Sequence, residues 1–286
     1  LRLNRVLLLI CIFIYGLNAN SLKITTDNWY PYVDNKLSNK GITTEIIDAI
    51  MEELKINYSL ELNSFENGYL YTKEEKYDAT FPYFKTLERE KEMIYSKSLL
   101  ETENVLFYNV NNYNKNSLYN SKIGLINGYA YKNIDVNKFK NKIFFNNELR
   151  AFNSLNRGEI DLLPSNKLVG ITIIKKYFND FYTNIEYIKD KEFISLDTLH
   201  LISSVNSKNR VFMEKFNNAL DSLKKSGKYD EILFKNQELL NPTISDYVRL
   251  VSNSSFPIVV ASETLNSQEK YMLPTGTKAI VLEWSE

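Results

Sequence analysis

Along the chain, short apolar runs of the strand type alternate with stretches whose apolar residues return every three or four positions. Ser21–Thr26 reads as a strand, and Thr43–Leu54 then places Ile46, Ile47, Ile50 and Leu54 on one helical face. Val105–Val110 and Lys122–Ile126 are further strands, the second closed by the turn pair Asn127-Gly128. In Glu148–Arg157, Leu149, Phe152 and Leu155 share one side of a helix that Gly158 would stop. Ile160–Leu163 reads as a strand, and Val211–Lys225 carries Phe212, Phe216, Leu220 and Leu223 at helical spacing before Gly227. Strands alternating with helices predict an α/β architecture with largely parallel sheets. Ligands of such folds sit at the carboxyl ends of strands. After Asn236 the pattern changes: Thr243–Leu250 is expected to be helical, and Ile258–Ala261 and Lys278–Leu282 to be strands. The chain stops soon after the last of these, so the tail reads either as the edge of a fragment or as a small β module starting near Phe256.

The first residues change the picture. Arg2 and Arg5 precede an unbroken apolar run, Val6–Tyr15, followed by Gly16, Leu17, Asn18 and Ala19. That order predicts a secretory signal peptide over 1–19. The run is too short to cross a bilayer, which takes about 20 apolar residues. Cys11 is the single cysteine, and the bulky Ile10 before it argues against a lipid-attachment site. Without residues 1–19 the chain has no cysteine, so no disulfide is expected and an oxidising compartment poses no hazard. Loss of the two arginines takes the formal net charge from +0 to −2. Nothing in that balance points to a nucleic acid or an anionic membrane.

Catalytic chemistry is hard to assemble from these residues. The single histidine, His200, lies among Leu199, Leu201 and Ile202 and is expected to be a core or hinge residue rather than a base. Thiolate metal sites and Cys–His catalysis are excluded without a mature cysteine. There is no Gly-x-Ser-x-Gly elbow and no glycine-rich phosphate loop. No catalytic residue, metal or cofactor is expected.

The segment Tyr77–Arg89 (YDATFPYFKTLER), continuing to Met93–Ser96 (MIYS), is the most informative. It has an aspartate, a strand, a polar loop, Thr86-x-x-Arg89, then an apolar pair before Ser96. Other pieces follow in order: Ile24–Tyr32 (ITTDNWYPY), Gly41–Asp48 (GITTEIID), Ile123–Tyr129 (IGLINGY), Leu155–Asp161 (LNRGEID) and Ser226–Ile232 (SGKYDEI). Together, over roughly residues 21–236, they resemble the bacterial extracellular solute-binding proteins of family 3.

The resemblance implies a type 2 periplasmic-binding fold: two α/β lobes with mainly parallel sheets and a ligand cleft between them. The lobes are expected at 20–108 and 205–240 for the first and 109–204 for the second, with crossings near 108–112 and 199–205 and an extension over 241–286. It implies that the protein is periplasmic and captures an amino acid or similar small carboxylate for an ABC permease. A ligand-sensing domain of a signalling receptor is the alternative, and an enzyme on the same fold a further one.

The resemblance assigns ligand-binding roles residue by residue. Arg89 would meet a ligand carboxylate with its planar fork. Trp29 and Tyr32 would offer flat, water-excluding faces. Tyr83 and Phe84 occupy the family's ligand loop, and Gly128 and Tyr129 would present backbone N–H groups at a strand-to-helix turn. The position for the acid that receives a ligand amine holds Asn166, which supplies no countercharge. Glu66 is one residue that could replace it. Asn166 also reads as a plain helix N-cap.

Overall fold

The computed structural model describes residues 21–240 except 133 and 179–183, together with four short strands in the tail. The expected signal peptide lies outside the described residues, and each expected tail element lies partly outside them.

The strands are β1 (Leu22–Thr26), β2 (Tyr58–Leu62), β3 (Ala79–Phe84), β4 (Met93–Tyr95), β5 (Leu100–Asn109), β6 (Lys122–Ile126), β7 (Asn141–Phe145), β8 (Leu162–Asn166), β9 (Ile185–Tyr187) and β10 (Ser195–Ser204). The helices are α1 (Ile42–Leu54), α2 (Phe65–Lys73), α3 (Leu87–Glu90), α4 (Glu148–Asn156), α5 (Lys167–Tyr177), α6 (Ser207–Lys225), α7 (Lys228–Lys235) and α8 (Gln237–Leu240). The strands form one continuous sheet in the order β2-β1-β3-β10-β5-β8-β6-β7, with β4 on β10 and β9 on β5. Both flanks are parallel, β2-β1-β3 on one side and β8-β6-β7 on the other. Antiparallel pairing is confined to the middle, around β5 and β10.

The apolar spacing explains the helices. Ile46, Ile47 and Ile50 of α1 are fully buried, and Phe216, Leu220 and Leu223 of α6 pack into the same core. Gly41 precedes α1 at φ 95°, where a Cβ would lie 2.6 Å from the Tyr32 carbonyl oxygen, so only glycine fits. β8 starts two residues later than the sequence suggests and runs through Pro164. Pro164 is tolerated because β6 pairs with β8 only at Leu162, leaving no partner there for the missing N–H.

The buried apolar residues fall into separate groups. One contains β1, β3, α1 and α6; the others contain β6, β8, α4 and the second half of β5. β5 and β10 belong to both sides and pair with each other from Leu100↔Leu199 to Asn104↔Ser195. Val105, Leu106 and Phe107 already pack with the second set, while Leu199, Leu201 and Ile202 pack with the first. The changeover thus runs through 100–104 and 195–199, earlier in both strands than the expected crossings at 108–112 and 199–205. The strand pattern continues unbroken through the crossing, so the sequence carries no loop signal there.

In the tail, Val248–Leu250 is a strand paired antiparallel with Ala279–Val281, and Val259–Val260 pairs with Tyr271–Met272. The helix expected over 243–250 is therefore wrong at its end, where the β-branched and apolar residues serve a ladder instead. His200 is buried in the core as expected. Its Nδ1 lies 2.8 Å from the Ser96 carbonyl and its Nε2 2.7 Å from Thr198 Oγ1. Burial holds its pKa below the usual value.

Candidate functional site

A small pocket opens where the two sides of the sheet meet, lined by Trp29, Phe65, Pro82, Tyr83, Phe84, Arg89, Gly128, Tyr129 and Ala130. Chain segments from both halves build it. Trp29 sits in the turn after β1, held by a bridge to Val33. Phe65 opens α2, whose N-cap Ser64 accepts from Asn67 N. Tyr83 and Phe84 end β3, Arg89 stands in α3, and Gly128–Ala130 follow β6.

Arg89 is the one charged side chain on the pocket wall. Thr86 caps its helix by accepting from Arg89 N at 3.2 Å. The guanidinium donates to the Phe84 carbonyl at 3.2 Å and, across the cleft, to the Gly128 carbonyl at 2.8 Å. It lies over the rings of Tyr83 and Tyr69, 5.3 and 5.7 Å from their centroids. No carboxylate pairs with it among the described residues. Rigid carbonyls thus aim the fork while leaving its charge uncompensated.

Aromatic rings make up most of the rest. Trp29 packs edge-on against Phe65, Phe84 and Tyr129, with centroids 5.8 to 6.3 Å away, and lies tilted on Tyr32 at 4.7 Å. Tyr83 donates its hydroxyl to the Phe65 carbonyl at 2.5 Å. Gly128 has φ +79°, and a Cβ there would meet Glu66 N at 3.0 Å, so the turn after β6 closes directly on the start of α2. The turn differs from expectation in which group it presents. The Gly128 carbonyl faces Arg89, and Tyr129 N bonds back to the Ile126 carbonyl at 3.2 Å.

Tyr32 and Asn166 lie elsewhere. Tyr32 is fully buried behind Trp29, and its hydroxyl bonds Thr102 Oγ1 and donates to Asn166 Oδ1 at 3.2 Å. Asn166 caps α5 by accepting from Val169 N at 3.2 Å. Its amide donates to Thr102 Oγ1 at 2.7 Å and to the Glu103 carbonyl at 3.3 Å. Asn166 therefore ties both halves to the crossing strand but does not line the pocket. Glu66 is exposed at the surface and does not line it either.

Two acids near the pocket escaped the sequence reading. Glu148 opens α4 and is buried, 7% exposed. It accepts from Trp29 Nε1 at 3.1 Å across the cleft and from Ser165 Oγ at 3.0 Å, and the Tyr129 hydroxyl is a third partner. Burial pushes its pKa up to about 7, an effect the donors only partly offset. Its signal was present: Glu148, Ala151, Phe152 and Leu155 form the buried stripe of α4, with Leu149 half-exposed. Asp27, just after β1, accepts from Asn28 N at 2.8 Å and Phe65 N at 3.2 Å. Burial raises its pKa as well. Among the described residues no cluster of side chains could hold a metal, and no helix is long and apolar enough to cross a membrane.

A sequence model of the bacterial extracellular solute-binding proteins, family 3, matches residues 22–236. No curated protein sequence matches the chain. Among solved structures, the arginine-, lysine-, histidine-binding protein ArtJ from Geobacillus stearothermophilus is similar, with a TM-score of 0.66 and 20% identity over 78% of this chain and 100% of that one. A histidine kinase sensor domain is similar at a TM-score of 0.64 and 16% identity, covering 76% of this chain and 95% of its own. The ancestral amino-acid-binding protein AncCDT-1, a precursor of cyclohexadienyl dehydratase, is similar at 0.61 and 18% identity, over 75% and 94%. At these identities the likeness shows the fold, an α/β architecture of the type 2 periplasmic-binding kind.

Proposed function

Starting from the fact that the chain belongs to the bacterial extracellular solute-binding proteins, family 3, we propose that it captures an amino acid or similar small carboxylate between its two lobes and delivers it to an ABC permease. The observation that carries this is Arg89: an uncompensated guanidinium, aimed by two backbone carbonyls from opposite sides of an aromatic cleft. A ligand carboxylate there would gain two charge-assisted hydrogen bonds in a site that excludes water. Export by the sequence at 1–19 and a periplasmic location belong to the same reading. The same reading gives the cleft a binding role rather than a catalytic one. Trp29, Tyr83, Phe84, Gly128 and Tyr129 would form the walls, with Tyr32 and Asn166 behind them.

Titration calorimetry of the protein against the common amino acids and small carboxylates tests the proposal. A ligand should appear whose affinity falls about a hundredfold or more in Arg89→Ala, the cost of leaving a buried charge unpaired. Arg89→Lys should recover little of it, because an ammonium cannot reproduce the fork. Unchanged affinity in Arg89→Ala would remove the assignment.

A second reading, the ligand-sensing domain of a receptor, is favoured by the paired strands after residue 247, which lie beyond the stretch that matches the family. Genetic deletion separates the two: loss of solute uptake supports transport, and loss of a signalling response with uptake intact supports sensing.

A further inference from the structure

The walls of the pocket offer a carboxylate a partner but offer an ammonium none. This bears on which solutes the cleft selects, and it rests on the proposed binding role. Three acceptor groups stand close enough to matter, and each is already engaged.

Asn166, at the position where the resemblance implies an acid, has all four of its amide hydrogen-bonding sites filled from within the protein: Tyr32 and Val169 donate to its oxygen, and its nitrogen donates to Thr102 and Glu103. Glu148 is not among the lining residues, and its carboxyl receives Trp29 Nε1, Ser165 Oγ and the Tyr129 hydroxyl. Asp27 is off the lining too and accepts the backbone N–H groups of Asn28 and Phe65 at the start of α2. The carbonyls of Phe84 and Gly128, both lining residues, accept from Arg89. The remaining lining is Trp29, Phe65, Pro82, Tyr83, Phe84, Tyr129 and Ala130.

An aromatic box can hold a cation, but here the box already contains one. Arg89 lies over the Tyr69 and Tyr83 rings, and a second positive charge beside it would be repelled at short range. A buried ammonium without a carboxylate would go unsatisfied on closure.

We infer that the cleft selects carboxylates that carry an apolar or aromatic body and no amine: Arg89 takes the carboxylate and the rings take the body.

The test uses matched pairs differing only in the amine, 3-phenylpropionate against L-phenylalanine and 4-methylpentanoate against L-leucine, with phenethylamine as the amine-only control. Calorimetry on the full protein should show at least one amine-free acid binding tenfold or more tighter than its amino acid. That binding should be lost in Arg89→Ala, and phenethylamine should give no heat. The inference is overturned if an amino acid binds as tightly as its amine-free partner, or if neither amine-free acid binds. An amino acid that binds in wild type but not in Asp27→Asn would overturn it too, by showing that Asp27 turns inward to meet an ammonium. The broader binding role stands or falls separately. It survives any of these outcomes so long as some amino acid or carboxylate binds in an Arg89-dependent way.

Discussion

Replacing Glu148 with glutamine should stabilise the protein clearly at pH 8 and by less than about 1 kcal/mol at pH 5. The buried carboxyl has a pKa near 7 in the folded protein against 4.5 for an unperturbed glutamate. A raised carboxyl pKa means that the folded state holds its proton more tightly than the unfolded chain does. The associated stability is complete below pH 4.5 and is lost as pH rises towards 7. At about 1.4 kcal/mol per pH unit, the full loss is on the order of 3 kcal/mol. Glutamine has the shape of the protonated acid. Its oxygen can still accept from Trp29 Nε1, and its amide can donate to Ser165 Oγ, whose hydroxyl is free to turn. The variant should therefore escape the loss. Two other buried groups titrate nearby. Asp27, raised by burial, acts in the same direction. His200, held low by burial, acts in the opposite one, adding stability above its usual range and losing it as pH falls. Both are present in both proteins: His200 cancels in the difference, while Asp27, whose charge helps to raise the Glu148 pKa, adds a coupled contribution of the same sign. Urea unfolding of each protein at pH 5, 6, 7 and 8 measures it. A gap that does not widen with pH, or a variant less stable than wild type at pH 8, would refute the reasoning.

Asn166→Asp should not improve binding of an amino acid. It removes the donations to Thr102 Oγ1 and the Glu103 carbonyl and sets a carboxylate against both, which should cost about 1–3 kcal/mol in urea unfolding. Tighter binding with unchanged stability would show that the side chain turns into the cleft. Gly170→Ala should destabilise by about 1–3 kcal/mol, since the new Cβ would lie 2.3 Å from Phe107 Cζ and 2.8 Å from Phe152 Cζ. A neutral result would mean that the two rings can shift. Lys132→Met should cost about 1 kcal/mol at neutral pH by leaving the buried Asp197 carboxylate, among the described residues, with Asn104 and Ser195 as side-chain donors. Burial opposes ionisation of Asp197, but its donors outweigh that and hold its pKa below 3.8, so the cost should shrink as pH falls through that range. A penalty equally large at pH 3 would show that Lys132 acts through packing.

The elements that were legible in the sequence are those whose side chains obey one period. Ile46, Ile47 and Ile50, or Phe216, Leu220 and Leu223, mark their helices because nothing but apolar burial decides those positions. Arg89 was legible through its Thr-x-x-Arg spacing, which the structure explains as an N-cap followed three residues later by the side chain it positions. Glu148 falls at the head of the stripe Ala151, Phe152 and Leu155, but an acid in the first turn of a helix reads equally as an exposed residue favoured by the helix dipole, and the rings and hydroxyls folded around it decide between the two. Asn166 was found, but its surroundings come from Tyr32, Thr102 and Glu103, which lie far away in sequence. Val248–Leu250 misled because three residues in a ladder and three in a helix can carry the same apolar pattern.

The place of β10 in the sheet also sets an order of events. β10 lies between β3 and β5, and Leu199 pairs with Phe84, so β3 gains this neighbour only from chain made roughly a hundred residues later. Until then, during synthesis from the amino terminus, Ala79–Phe84 presents an open edge on a strand with five of six residues destined for burial. A strand of that kind readily recruits the wrong partner, including the same strand of another nascent copy. The first lobe therefore cannot mature by itself. Any truncation that ends before Ser204 should yield aggregates rather than a smaller stable lobe.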